Sequence, residues 1–384
     1  MPIGWRISFY NIVLPMLAFY KEIQQSKKII NKKFDVLFYA ENAYYFQYFR
    51  HLFTVLTDAG NLAIGYITSD KTDPVLNLQK SGLETFYLEK TLLFAFPKLQ
   101  SKVMILTMPD LQNYAFKRSA GVQNYLYVFH ALVSIHQQYA AKAFDHFDAF
   151  LCCGAYHQDE LRELEALHGL PAKTKIEYGY PLIDELKSKV ALAGAPNQKR
   201  LLIAPSWYEA GILSTCLMPL LENLQPTNRE ITIRPHPEFL KRNKKEVAQL
   251  QYYIRQHPNL SLDLSPDVYD CLSHTAILIT DRSGIALEYA FATGRPVLFI
   301  NTAPKIKNPE WEQFISVPVE NRTRRLIGIE VEKDQLQDIP NAIKRLIEDQ
   351  EKFKKQIASL QQELIYDNHS WQKAYDYVQF LAGL

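Results

Sequence analysis

The chain has 384 residues, 47% of them hydrophobic and 22% charged, with a formal net charge of +2. That length exceeds what one hydrophobic core usually spans, so two domains are expected, and the near-neutral balance lacks the basic excess of a nucleic-acid binder. The four cysteines, Cys152, Cys153, Cys216 and Cys271, form no C-x-x-C pair, which argues against zinc and thioredoxin-like sites and fits a reduced, cytoplasmic compartment.

Residues 1–20 read MPIGWRISFYNIVLPMLAFY. Arg6, Asn11 and Pro15 interrupt this run, which is short for a membrane span. No small-residue cleavage site follows, which argues against a signal peptide. Lys21, Lys27, Lys28, Lys32 and Lys33 come next, with Glu22 opposing them. An aromatic-apolar segment followed by lysines fits docking on the anionic cytoplasmic face of the cell membrane. An ordinary helix packed on the first domain fits it as well. Residues 1–33 are therefore read as an N-terminal helical segment.

From Phe34 onward, apolar runs alternate with longer mixed segments. DVLFYA (35–40), LAIGYIT (62–68), VMILTM (103–108), YLYVFH (125–130) and AFLCCG (149–154) are rich in aromatic or β-branched residues. Such runs, spaced by helix-length segments, predict βα units and a parallel sheet. QDELRELEALHG (158–169) predicts a helix, with Leu161, Leu164 and Leu167 on one side and Gly169 and Pro171 at its end. The Gly-, Pro- and Ala-containing stretch 181–199 reads as a linker between domains. A second series follows: RLLIAPSW (200–207), EITIRPHP (230–237), LSLDLS (260–265), AILIT (276–280) and PVLFI (296–300). Residues 339–365 are amphipathic at helical period, as one helix or two, and 370–384 predict a last helix. The expected architecture is α/β: two Rossmann-like domains, 34–180 and 200–366, facing a cleft, with C-terminal helices and residues 367–384 crossing back to the first domain.

Ligands of open parallel sheets bind beyond the carboxyl ends of the strands, and several polar breaks lie there. After AILIT comes the turn Asp281-Arg282-Ser283-Gly284, then a helical segment closed by Gly294 and Pro296. Ser283 and Gly284 thus sit at a helix N-terminus, where free N–H groups favour an anion, and Glu288 lies one turn on, within reach of a ribose. The plainer reading makes Ser283 an N-cap and Glu288 a surface residue. Arg234-Pro235-His236-Pro237 ends another strand; the prolines stiffen a histidine beside an arginine, which suits an anion. His130 ends a strand of the first series and is either a general base or a satisfied core histidine. His136, six residues on, lacks the spacing of a helical metal pair, so neither a metal nor a cofactor is expected. Gly179-Tyr180-Pro181 reads as a hinge, and Ser206 and Trp207 close the first strand of the second series.

In this order, these segments resemble the CDP-glycerol glycerophosphotransferases, the teichoic-acid primases and polymerases of the GT-B class. GYPLIDEL, with Asp184, is similar to that family's GYPRND; APSW to its APTW; Arg234 and His236 to its R-x-H segment; and LITDRSGIALEYA…RPVLF to its LITDYSSVFFDYA…RPIIF. The likeness is best over about residues 176–302. The family's Trp-His-Gly motif is met by Phe129-His130-Ala131, its second serine by Gly284, and an aspartate by Glu288. The resemblance implies transfer of an alditol phosphate from a CDP-activated donor to a hydroxyl of a cell-surface polysaccharide or lipid-linked precursor. It also implies catalytic His130 and His236, and donor binding by Ser206, Arg234, Asp281, Ser283, Gly284 and Glu288. A GT-B glycosyltransferase using a CMP- or UDP-sugar is the alternative, with a drifted binding protein and a nucleotide-sugar 2-epimerase behind it.

Overall fold

The computed structural model of the protein describes residues 14–265 and 269–384. They form two compact units. The first comprises the chain to His130, Tyr139–Pro181 and Tyr366–Leu384; the second comprises Ala131–Gln138 and Leu182–Ile365. Residues 131–138, read from sequence as part of the first domain, thus belong to the second unit.

The first unit is a seven-stranded sheet: β1 Lys33–Ala40, β2 Ile64–Thr68, β3 Leu83–Tyr87, β4 Gln100–Leu106, β5 Val122–Val128, β6 Ala149–Cys152 and β7 Thr174–Glu177. The order is β3-β2-β1-β4-β5-β6-β7, and every neighbour is parallel. Val36 pairs with Ile64 on one side and Val103 on the other. Val36, Leu37 and Phe38 are all fully buried, because helices cover both faces of a parallel sheet. The connections run one way from β1 to β3 and the other way from β4 to β7, so the topological switch point lies between β1 and β4.

The second unit repeats this plan with β8 Asn197–Ile203, β9 Glu230–Ile233, β10 Leu260–Leu262, β11 Thr275–Thr280, β12 Val297–Asn301 and β13 Gly328–Glu332. The order is β10-β9-β8-β11-β12-β13, again parallel, with the switch point between β8 and β11.

Three sequence readings are refined. The stretch 181–199 is not an open linker: Leu182–Ala193 is a helix whose Leu182, Ile183 and Leu186 are buried, and β8 begins at Asn197. Residues 339–365 form two helices, Ile339–Glu348 and Gln350–Leu364. The last helix, Trp371–Ala382, packs within the first unit on the helix Arg50–Ala59 and on β4 and β7. The chain returns to that unit beside Gly179. Its φ is +77°, and a Cβ there would come within 2.8 Å of the Tyr366 carbonyl oxygen, so conformation and space both call for glycine.

Candidate active site

In the second unit, Ile203 of β8 is in register with Ile279 of β11, so the loops that follow these strands start side by side at the switch point. Asp281 joins them. Its carboxylate, in a residue with no exposed surface, accepts from the Ser206 N–H at 2.8 Å, the Ile212 N–H at 3.0 Å and its neighbour Arg282 N–H at 2.7 Å. Both oxygens thus face backbone donors of the protein. Ser206 is likewise buried, with its N–H given to Asp281.

The turn then opens the helix Ile285–Thr293. No side chain caps it, so Ser283 is not the N-cap of the plainer reading. The Ser283 and Gly284 N–H groups meet no acceptor among the described residues. They are the orphan donors of a helix N-terminus, with the positive end of the dipole behind them. Gly284 has an ordinary φ of −60°; its smallness matters for space, since a Cβ would come within 3.1 Å of Val133 Cγ1. Glu288 is buried one turn into the helix. Beneath the turn, Arg324 donates to the Asp281 carbonyl at 2.8 Å and pairs with Glu330 at 2.7 Å. Arg282 donates to the Thr302 carbonyl and to Asn321. Glu320 accepts from the Ser134 N–H at 2.9 Å, and burial holds its carboxyl above the usual range.

After β9, Arg234 does not stand open. It pairs with Asp263 at 2.5 Å and donates to the Ser265 carbonyl at 2.8 Å. Burial would raise the Asp263 carboxyl, but hydrogen bonds from Cys271, Ser265 and Arg234 outweigh it and hold the group at about 2. His236 caps the helix Pro237–Arg242: its Nδ1 accepts from the Glu238 N–H at 3.2 Å. The neutral ring therefore carries its proton on Nε2. Partial burial, then the Lys305 ammonium, hold the imidazole below its ordinary pKa, so it is neutral at pH 7 and a donor through Nε2. Trp207 stacks on it at 6.3 Å. Lys305 is depressed by burial and by Lys307, and no carboxylate pairs with it among the described residues. A partly desolvated ammonium with no ion-paired carboxylate, which feels Asp281 only at a distance and stands beside a histidine donor, suits an anion.

In the first unit His130 follows β5 and is half-buried. Its Nδ1 lies 3.1 Å from the Tyr127 hydroxyl, the Tyr180 hydroxyl donates to its carbonyl at 3.3 Å, and the edges of Tyr45, Tyr48 and Tyr139 surround the ring. Glu41, just beyond β1 at the switch point, is lifted above the carboxylate range by burial; its charge also acts on Tyr45 and Tyr127.

Of the residues singled out from sequence, Ser206, Arg234, His236, Asp281, Ser283, Gly284 and Glu288 lie in the second unit and His130 in the first. Sequence reasoning passed over Lys305, Arg324, Tyr127 and Glu41. Tyr127 and Glu41 carried a usable signal, since each sits at the carboxyl end of an apolar run. Lys305 and Arg324 stand in loops and short helices with no pattern to mark them.

The family described as CDP-glycerol:poly(glycerophosphate) glycerophosphotransferase matches residues 25–306. No curated protein matches significantly. Among solved structures, the wall teichoic acid polymerase TagF is similar at 12% identity and a TM-score of 0.62, over 100% of this chain and 98% of that one. A TagF variant soaked with CDPG is similar at 13% identity and a TM-score of 0.60, over 91% of this chain and 89% of that one. The UDP-GlcNAc 2-epimerase of Methanocaldococcus jannaschii, in complex with UDP-GlcNAc and UDP, is similar at 11% identity and a TM-score of 0.59, over 90% of this chain and 99% of that one. At such identities the likeness is one of fold, and the fold is α/β of the GT-B type.

Proposed function

The chain belongs to the CDP-glycerol:poly(glycerophosphate) glycerophosphotransferase family and is a transferase of that type, and from this premise we propose how its residues divide the reaction. The donor is a CDP-glycerol-type nucleotide and the acceptor a hydroxyl of a polymer or lipid-linked precursor. The pyrophosphate takes the Ser283 and Gly284 N–H groups at the helix N-terminus. Asp281, Ser206 and Arg234 serve this site by holding its loops. Glu288 meets the ribose hydroxyls. His130 takes the proton as the acceptor oxygen attacks the phosphorus of the glycerol phosphate, and the bond from that phosphorus to the bridging oxygen breaks. CMP leaves with the electron pair, its charge met by His236 Nε2–H and Lys305. Such a transfer depends on positioning and charge stabilisation. The observation that carries this reading is the uncapped helix N-terminus at Ser283 and Gly284.

Incubation with CDP-glycerol and a lipid-linked acceptor is expected to release CMP and add the mass of glycerol phosphate to the acceptor. Parallel incubations with CDP-ribitol, CMP-sugars and UDP-sugars define the transferred group. Turnover of a nucleotide sugar with CDP-glycerol left intact would make the protein a glycosyltransferase or an epimerase instead.

We further propose peripheral attachment to an anionic membrane. Residues 1–13 of the expected docking segment lie outside the described residues. In the helix Leu14–Ile30, Glu22 does not oppose the lysines: it is buried and accepts from the Glu89 and Thr91 N–H groups. Met16, Leu17, Phe19 and Tyr20 are exposed. The helix packs on Leu92–Ala95, whose Leu93 and Phe94 are also exposed. Lys21 and Lys27 are exposed on the first of these helices and Lys90 just before the second, and the Lys98 ammonium lies 3.5 Å over the Phe94 ring. An apolar patch with lysines around it complements an anionic lipid surface. No helix among the described residues is long and apolar enough to cross a membrane. The protein is expected to float with phosphatidylglycerol vesicles, and a Leu17→Glu, Phe94→Glu double variant to bind them about tenfold more weakly. Equal partition of the two proteins would rule out this face.

A further inference from the structure

We propose that Gln138 is a positioning residue of the donor site: by holding the Arg282 carbonyl it fixes the peptide plane between residues 282 and 283, and so aims the Ser283 N–H at the pyrophosphate. This rests on the donor reading above, in which that N–H meets the pyrophosphate. All the groups involved lie in the second unit, to which Ala131–Gln138 belongs. A peptide group is planar and trans, so its C=O and N–H point in opposite directions. Whatever binds the Arg282 carbonyl therefore sets the direction of the Ser283 N–H.

The Gln138 amide binds it. Nε2 lies 3.3 Å from the Arg282 carbonyl oxygen and 3.3 Å from Glu320 Oε1. An amide NH2 has two hydrogens, and two oxygens take them here. Turned over, the amide would set its own oxygen against the Arg282 carbonyl, which can only accept. Gln138 is itself held. Glu320 grips its segment at two points, accepting from Gln138 through Oε1 and from the Ser134 N–H at 2.9 Å through Oε2. The Ser134 hydroxyl accepts from the Val319 N–H at 2.6 Å, and the Gln137 carbonyl from the Lys307 N–H at 2.8 Å. On the other side of the residue, the Asp281 carboxylate fixes the Arg282 N–H at 2.7 Å, and the Thr302 carbonyl and Asn321 fix its guanidinium. The carbonyl is the remaining hold. Without it the 282–283 peptide can turn about ψ of Arg282 and φ of Ser283, and the N–H leaves the direction of the ligand. A carbonyl that accepts a hydrogen bond also polarises its own amide, which makes the Ser283 N–H a stronger donor. A donor already aimed costs no reorganisation when the anion arrives.

The test is titration of the whole protein with CDP-glycerol and with cytidine, which has the base and ribose but no phosphate, followed by the Ser283 amide signal in NMR. The variant is Gln138→Met, which keeps the length of the side chain and removes its NH2 group. In the wild type, CDP-glycerol is expected to move the Ser283 amide proton downfield, as a bond to phosphate does. In Gln138→Met that displacement should shrink, and Kd for CDP-glycerol should rise about tenfold, as for weakening one hydrogen bond to a charged group. Kd for cytidine, titrated at millimolar concentration, should not change. A purely structural role would weaken both ligands alike and lower the melting temperature, and that result overturns the proposal. The two levels fail separately. If CDP-glycerol leaves the wild-type Ser283 amide unmoved, the donor reading fails and the proposal with it. If the amide moves equally in wild type and Gln138→Met, and Kd for CDP-glycerol is unchanged, the donor reading stands and only the positioning role fails.

Discussion

Replacing His130 with alanine is expected to lower turnover of CDP-glycerol by about 100- to 10,000-fold, the range for removing a general base. The dissociation constant for the donor should stay within about twofold of wild type, a change of about 0.4 kcal/mol or less. The division follows from where the groups lie. The groups proposed to bind the pyrophosphate and its charge, Ser283, Gly284, His236 and Lys305, and the buried Asp281 all belong to the second unit, while His130 belongs to the first. The imidazole is only half-buried, between aromatic edges, so stability should change by about 1 kcal/mol or less. Single-turnover CMP release and calorimetric titration with CDP-glycerol read the two quantities separately. A variant with full turnover removes His130 from the chemistry; one with lost donor affinity and unchanged single-turnover rate makes it a binding residue.

What could be read in the sequence was what two-sided burial writes there. The runs around Val36, Val103, Leu126, Leu202 and Leu278 are continuous apolar stretches because they are central strands covered on both faces. The strands with no apolar run to mark them, β3 (LETFY) and β13 (GIEVE), stand at the edges of their sheets. Their exposed edge carries Glu and Thr among the apolar residues, so no continuous apolar run marks them. The same asymmetry governs the site. Asp281, Ser283, Gly284, Arg234 and His236 follow central strands, and a break after an apolar run is visible. Their partners Lys305, Glu320 and Arg324 come from loops and single-turn helices, where position is set by tertiary packing. Arg234 and Asp281 were legible as polar residues at strand ends, but not that each already faces groups of its own chain. Hydrogen-bond partners drawn from Asp263 and Ile212, 29 and 69 residues away, leave no local pattern.

Asp281→Ala should therefore act first on the fold of the second unit and through it on the donor. Two oxygens of a fully buried carboxylate now satisfy three backbone N–H groups, from Ser206, Ile212 and Arg282. Hydrogen bonds to a charged acceptor contribute about 1.5–3 kcal/mol each, and buried donors left without one cost a similar amount. Partial relaxation of the loops and entry of water reduce the sum, and a net loss of about 3–5 kcal/mol is expected for alanine. At about 2–4 °C per kcal/mol for a unit of this size, the melting temperature should drop by about 10 °C. The site suffers in the same step. With the link gone, the loop after β8 is no longer tied to the turn that presents Ser283 and Gly284, and donor affinity should fall about tenfold or more. Asp281→Asn separates scaffold from ligand contact. Its amide oxygen can keep the Ser206 and Arg282 bonds, but its NH2 group meets the Ile212 N–H, donor against donor. It should then lose an intermediate amount, about 1–3 kcal/mol, with affinity falling in proportion to the thermal shift. A direct contact from Asp281 to the donor predicts otherwise: the asparagine variant would lose affinity while melting at the wild-type temperature. Thermal unfolding and CDP-glycerol titration on the same two proteins decide between a residue that touches the nucleotide and one that holds the loops touching it.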